Sequence, residues 1–516
     1  MTTFNLVQER WIPVVQEDWR RREVSPIELF ETWRNLREIQ ADNPPTTLAI
    51  YRFLLAILHR AYQGPKNVDH WEEIQADNGK QAIAYLKERR DHFDLLHPTH
   101  PFMQDTSITK EDAGEVYLAA VLHGNNTSTV FCHEHQWSGS SLSIPEAARL
   151  LLRLHMFDVG GRKTGSAISA AVIPTMDAAN VLARGQNLHE TLMFNLMEYD
   201  PSREMPSPVQ GEDLPTWEQK SANPKERIPS GYIDYLTYQW RRVRLFSEGD
   251  RVERVAVHAG DRLPKDLSAT RWECGIAYAK TKKGTFTIRL NLQRSLWRDS
   301  AAFLQSADTS DCPRILNWIA ELKSEDLIPG NLHLQILGLT VDNAKPLGWT
   351  SEQFSAPVAY LTERSLWDAL KHAITIAEDY QQIFRSFRGS PYHSLAEALK
   401  NHDAGSIAKS LDGESRYWAT LDREFQILLE ALPNDKTIDG NGTIYGSTKL
   451  PEWTKAVQNA AREAFTKSIT SIRNYEARAK ALQTLEWRLA DLRMDPAEKA
   501  ERKAKAAAKK KEKVFK

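Results

Sequence analysis

The sequence predicts an α+β fold: a large mixed N-terminal domain with antiparallel sheet over residues 1–360, then a C-terminal four-helix bundle with a basic tail over 361–516. Three observations predict it. Between Gln239 and Leu292 apolar residues recur with period two, and Lys282-Lys283-Gly284 separates Ile276/Tyr278 from Phe286/Ile288/Leu290, the pattern of a hairpin. Helices and strands are mixed without regular alternation, which points away from a doubly wound parallel sheet. From about Thr362 the pattern is helical only.

Taken in order, Phe4 to Val14 reads as a short strand stopped by Pro13. Thr47 is placed to cap a helix carrying Ile50, Phe53, Leu54, Ile57 and Leu58 on one stripe, ended by Gly64-Pro65. Ser143 with Pro145 starts another, which runs through Leu151 and Leu152 to about Phe157. In the C-terminal part, Leu366, Ala369, Leu370, Ala373, Ala377, Tyr380 and Phe384 form one seam and Trp418, Leu421, Phe425, Leu428 and Leu432 another. A third helical segment runs from Pro451 past Leu482, and a shorter one lies near Leu395 to Leu411. The stretch from Glu498 to Lys516 is rich in Lys and Ala, with little to bury.

Composition bounds the function classes. The 516 residues are too many for one compact core, and 41% hydrophobic with 26% charged residues and 15 Trp is globular usage. A net charge of -1 leaves nucleic-acid binding open, because the distribution of charge decides that and not its sum. Cys132, Cys274 and Cys312 are far apart and form no C-x-x-C pair, which argues against a zinc knuckle or a disulfide framework. The start of the chain carries Glu9, Arg10 and Pro13 where a signal peptide is apolar, and no apolar run approaches the roughly 20 residues that span a bilayer. The expectation is a soluble, cytoplasmic protein.

Four constellations carry chemical meaning. On the segment from Pro451, a period of 100° per residue puts Val457, Ala461, Ala464, Ile472, Tyr475, Ala479 and Leu482 on one face. It puts Lys455, Arg462, Arg473 and Lys480 on the opposite side, within about 20° of one another. A solvated outer face is the bland reading of those cations; a ladder following a phosphate backbone is the functional one. Val159-Gly160-Gly161-Arg162-Lys163-Thr164-Gly165 follows a helix end. It is either a glycine C-cap or a loop whose backbone approaches nucleic acid while Arg162 and Lys163 hold phosphates; it lacks P-loop spacing. His133-Glu134-His135, with His123, invites a metal reading, that of a metal-dependent hydrolase, but no third ligand stands at usable spacing. Finally, Leu337 to Pro346 follows an apolar strand, Leu332 to Leu337, and reads as a turn or as a small polar tip that enters a groove. No nucleophile elbow, Walker motif or nuclease-type carboxylate cluster is present, so no catalytic residue and no cofactor is expected.

Collinear segments give a resemblance. Asn5, Leu6, Trp11, Ile12, Pro13 and Val14 open the chain, and His100-Pro101-Phe102-Met103-Gln104 is the most specific piece. The glycine loop, Ile228-Pro229-Ser230, the Gly338–Lys345 tip and the helical C-terminus follow in order. In this the chain resembles the large subunits of type I-E CRISPR Cascade complexes, the CasA family.

The resemblance implies a non-catalytic DNA-reading subunit. Such a subunit recognises the protospacer-adjacent motif of duplex DNA from the minor-groove side, promotes strand separation and R-loop formation, and recruits a helicase-nuclease. It implies partnership with the other Cascade subunits, the guide RNA and double-stranded target DNA. On it, Gly160 and Gly161 form the glycine loop, and Asn343, Ala344 and Lys345 the wedge. The groove finger falls at Arg254, with Arg251 a competitor, and Phe131 engages the complex near the guide's 5′ end. Asn343 stands where the best-described members have glutamine, and Arg254 where they have lysine, which keeps the charge but brings planar, bidentate geometry. The cysteine cluster of some members is absent, so no zinc is expected. A sequence-independent nucleic-acid scaffold is the alternative.

Overall fold

The computed structural model describes residues 3–493 except 114–140, 164, 167, 220–224, 265–271, 282–283, 290–295, 305–311, 343–344 and 439–443. The chain divides into two compact units. One is Met1–Leu296 with Ala302–Thr362; the other is Trp297–Ala301 with Glu363–Lys516.

The first unit is mixed, and among the described residues its paired strands are antiparallel. Strand β1 (Ile12–Gln16) lies between β2 (Arg21–Val24) and β3 (Leu36–Ile39). The expected strand ahead of Pro13 is therefore wrong: the strand begins at Ile12 and runs through the proline. Pro13 is tolerated there because its carbonyl accepts from Gln40 N–H, just past the end of β3. Its nitrogen faces the same way, toward the end of β3 and away from the pairing with β2.

Helix α1 (Pro44–Tyr62) is buried nearly all round, as a helix at the centre of a core must be. Asn43, not Thr47, is its cap: the Asn43 side chain accepts from Thr46 N–H at 2.9 Å. Asn followed by Pro at the first helical position is the stronger start signal. Thr47 lies one turn inside, its hydroxyl donating to Asn43 O and accepting from Ala41 N–H. Phe53 of α1 joins Phe93, Phe102 and Trp217 in a cluster with ring centroids 5.4 to 6.3 Å apart.

Strand β4 (Leu142–Ser143) leads into helix α2 (Ile144–Met156), where Ser143 and Glu146 form a capping box. Strand β5 (Asn180–Arg184) follows, and then β6 (Arg241–Glu248) and β7 (Arg251–Ala259), which pair with β4 in the order β4-β7-β6. The expected hairpin is present as β8 (Tyr278–Thr281) and β9 (Gly284–Thr287), with Thr281 opposite Gly284. Strands β10 (Asn331–Asp342) and β11 (Lys345–Pro357) form a long arm beside β5.

The second unit is mainly helical: α3 (Arg364–Gln381), α4 (Pro391–Ala398), α5 (Ala404–Leu411), α6 (Gly413–Ala431), α7 (Lys449–Ser468) and α8 (Tyr475–Arg493). Trp297, from the short segment that joins this unit, stacks on Phe425 at 4.3 Å and meets Trp418 and Trp453 edge-on. Helix α7 packs against α3, α6 and α8.

The four long helices are not the four that the periodicity marks. The segment near Leu395 to Leu411 is two short helices, and the segment from Pro451 past Leu482 is broken between Ser468 and Tyr475. Thr470, Ser471 and the β-branched Ile469 and Ile472 weaken the helix there, and Asn474 caps the next one by accepting from Ala477 N–H at 3.0 Å. After the break the buried face is Ala477, Ala481, Leu485 and Leu489, and Tyr475 is exposed.

Candidate nucleic-acid interface

The glycine loop is built on the end of α2. The helix stops at Phe157, which has negative φ and whose N–H bonds Arg153 O, so Gly160 and Gly161 are not its C-cap. Gly161 exchanges two backbone hydrogen bonds with Ala170, at 2.9 and 2.8 Å, which closes the loop on itself. The two glycines do different work. A Cβ on Gly160 would lie 3.2 Å from Ala170 O and from the Val172 side chain, so this glycine fits the loop to its own return strand. Gly161 has φ +110 and nothing within 4 Å of where a Cβ would stand. Its Cα side faces open space while its N–H and C=O are taken by Ala170, in a conformation that glycine adopts most easily.

Arg162 is exposed, whereas Lys163, expected to hold a phosphate beside it, is buried. Its side chain is buried and its ammonium lies 2.7 Å from Asp158. Burial lowers its pKa, and the nearby Asp158 carboxylate opposes that shift. Once the loop folds back, a lysine on its inner side has a buried carboxylate to meet and its neighbour on the outer side has solvent. Gly165 (φ +70) passes close to Asp112 and His258, and Ser166 Oγ accepts from Ala259 N–H at 3.2 Å, tying the loop to β7.

Strand β7 carries both arginines considered for the groove finger. Arg251 is committed: its guanidinium donates to the Ser141 hydroxyl at 2.5 Å and to Ser141 O at 2.6 Å. Arg254 is exposed, opposite Phe246 of β6.

The arm formed by β10 and β11 corrects the reading of its tip. Gly338 is no exit from the strand; it pairs with Thr350, and the ladder continues to Asp342 opposite Lys345. Asn343 and Ala344, between them, lie outside the described residues. Beyond Leu337 the arm outruns its neighbour β5 and is braced instead by Asp177. Asp177 N–H bonds Leu339 O at 3.1 Å, and its carboxylate accepts from Val341 N–H at 3.3 Å. Asp177 lies only seven positions beyond Ala170, so one short segment supports both the arm and the glycine loop.

In the helical unit the cation ladder fails as a line on one helix, because the break after Ser468 resets the register. Lys455 and Arg462 lie on α7, Arg473 in the turn, and Lys480 on α8. Arg462 is half-buried and forms two bonds to Glu486 of α8, while Lys480 pairs with Glu476 at 3.0 Å. Lys455 and Arg473 are exposed.

The model of the CRISPR-associated protein Cse1 family matches residues 5–464. The chain belongs to the Cse1 family. The CRISPR-associated protein CasA/Cse1 of Thermus thermophilus is 30% identical over 488 residues, covering 90% of this chain and 91% of that one. The solved structure of Thermus thermophilus CasA (Cse1) superposes with a TM-score of 0.77 at 26% identity, over 95% of this chain and 99% of that one. A chain from a CRISPR RNA-guided surveillance complex has the same fold, with a TM-score of 0.74 at 19% identity over 95% and 100% of the two chains.

Within this Cse1 framework, the most specific sequence motif has a structural part. Gln104 is buried; its amide donates to Leu95 O at 2.7 Å and accepts from Leu245 N–H at 2.9 Å, joining the H-P-F-M-Q segment to β6. Sequence reasoning missed Asp158 and Arg241 beneath the glycine loop, and no local signal marks them, since they meet across 83 positions of sequence. Phe131, His123, His133 and His135 lie outside the described residues. Among the described residues no three His, Cys, Asp or Glu converge as metal ligands would, and no helix is long and apolar enough to cross a membrane.

Proposed function

We propose that this chain is a subunit of an RNA-guided Cascade complex. It reads the protospacer-adjacent motif in duplex DNA, promotes opening of the strands beside it for guide pairing, and presents a landing surface to a helicase-nuclease. The observation that carries the reading is Gly161: an open, positive-φ backbone on a tightly tied loop, in a chain of the Cse1 family. The minor groove separates A·T from G·C and little else, so a bare backbone with a cation nearby reads a short motif permissively. Guide pairing supplies the remaining fidelity.

In this reading Gly160 and Gly161 lie against the groove floor, Arg162 holds a phosphate and Arg254 is the groove finger. Asn343, Ala344 and Lys345 form the wedge at the fork, and Phe131 faces the guide complex. Lys455, Arg473 and Lys480 meet DNA backbone as separate contacts. The chain's part is binding and not bond-breaking. The fold shared with a chain of a surveillance complex supports the assembly, and exposed Arg254 beside committed Arg251 supports the finger.

The test is binding of the assembled complex to duplexes that differ only in the motif. Tighter binding to one motif, lost in Gly161→Asp, is expected. Equal affinity for all duplexes would favour a sequence-independent scaffold.

A further inference from the structure

Beneath the glycine loop lies a buried charge cluster. Arg241, at the start of β6, is fully buried. Its guanidinium donates to the Asp158 carboxylate at 2.5 Å, to Asp158 O at 2.6 Å, to Ala171 O at 3.0 Å and to Trp240 O at 2.7 Å. Asp158 and Ala171 are the two ends of the loop, so one guanidinium grips both. Lys163, from the middle of the loop, reaches back to the same Asp158 carboxylate. Between these anchors Gly161 is held across the loop by its pair of backbone bonds with Ala170. The adjacent cations thus divide: Arg162 faces solvent and Lys163 faces the interior. Two cations and a carboxylate taken out of water keep their places only with close partners, which makes this arrangement costly to deform.

We propose that Lys163 and Arg241 are positioning residues: through Asp158 they hold the Gly160–Gly161 backbone in the shape that reads the motif, and Lys163 touches no phosphate. The inference rests on the groove-reading role given to the loop above. A planar, five-donor fork suits Arg241's task of bonding a carboxylate and three carbonyls at once. A read-out built on bare backbone has no side chain to adjust, so its accuracy depends on the supports behind it.

The experiment measures Kd of the assembled guide-RNA complex on motif and non-motif duplexes over a range of salt, for K163M beside the unaltered chain. K163M is expected to lower the motif/non-motif ratio by about tenfold, the worth of one misread base pair, and to leave non-motif affinity and salt slope unchanged. Equal weakening on both duplexes, with the salt slope reduced by about one, is the signature of a phosphate contact and overturns the proposal. So does a ratio that stays put in K163M while G161D abolishes it. If G161D also leaves the ratio intact, groove reading itself has failed. Hydrogen exchange on the unaltered chain then decides the clamp, as it does should K163M not assemble. Protection of Gly161 and Ala170 amides supports it, and exchange at the rate of an open loop sinks it.

Discussion

Arg462 of α7 and Glu486 of α8 are joined by two hydrogen bonds of 2.7 and 3.0 Å. The hydrogen bonds to Glu486 raise the arginine's pKa, and those from Arg462 lower the glutamate's. Both are partly exposed, so the pair is worth at most about 1 kcal/mol. Its position decides more than its energy, since an arginine spent on the neighbouring helix is a poor phosphate contact. The expected outcome is that R462A leaves the salt slope of DNA binding unchanged and lowers the denaturation midpoint slightly. Neutralising Lys455 and Arg473 together should reduce the slope by about two, equally for all target sequences.

Gly160 and Gly161 should respond differently to the same substitution. An alanine at Gly160 meets Ala170 O and Val172 at 3.2 Å, so the loop itself has to shift. At Gly161 a side chain projects into free space but demands a φ that costs a non-glycine residue roughly 1–3 kcal/mol. Aspartate there adds a negative charge where the groove floor and phosphates arrive. G161D should abolish motif-dependent binding with less than about 3 kcal/mol lost from unfolding stability. Intact motif preference in a folded G161D chain would remove the loop from the read-out.

Gln104 joins Leu95 to Leu245, and truncation strands a buried carbonyl and a buried N–H together. Q104A is expected to cost about 2–4 kcal/mol in urea denaturation, the sum of two unmet backbone groups. A loss under about 1 kcal/mol would mean that water replaces the amide on both sides.

Two buried histidines make stability depend on pH. Burial pushes His59 and His155 down to about 4, although each bonds a carbonyl, Gly64 O at 2.9 Å and Met103 O at 3.0 Å. Both are therefore neutral in the fold near pH 7. The unfolded chain binds protons at these sites from about pH 6.5 downward, before the folded chain does. The stabilisation is complete above about 6.5 and is lost as pH falls toward 4, by up to about 3 kcal/mol for each histidine. Thermal midpoints measured from pH 7 to 4 should fall more steeply in the unaltered chain than in H155Q, whose amide keeps the bond to Met103 without titrating.

Much of the fold was legible where the signal is local. The capping box at Ser143 and Glu146, the β8–β9 turn and the apolar seams of α3 and α6 are each set by residues within a few positions of one another. The break after Ser468 was legible too, in Thr470, Ser471 and Asn474, but continuous 3.6-residue periodicity on both sides outweighs a break that has neither Gly nor Pro. The burial of Lys163 was not legible for a different reason. Nothing near it in sequence says which side of the loop faces inward, and that is settled by Arg241, far along the chain. The arm was half legible, since alternation marks Leu332 to Leu337, while the pairing that carries it on to Asp342 depends on β11.

The geometry of the arm sharpens what its tip should do. A turn starting at Gly338 would leave a loose loop, but the β10–β11 ladder stays paired as far as Asp342 and Lys345 and so forms a stiff lever up to that pair. Asp177 braces that lever where β5 no longer reaches it, at Leu339 and Val341. Opening one base-pair step costs a few kcal/mol of stacking and pairing, so a rigid tip that stabilises the open fork changes initiation appreciably. Truncating Asn343 and Lys345 to alanine should slow R-loop formation on intact duplex, measured by the kinetics of guide pairing in the assembled complex. A target already mismatched beside the motif should bypass the defect, because its fork is open before the tip arrives. D177A, which removes the brace on Val341 and leaves the tip's own residues in place, should give a weaker form of the same pattern. Equal slowing on intact and mismatched targets would mean that the tip merely anchors DNA, and the wedge would be abandoned.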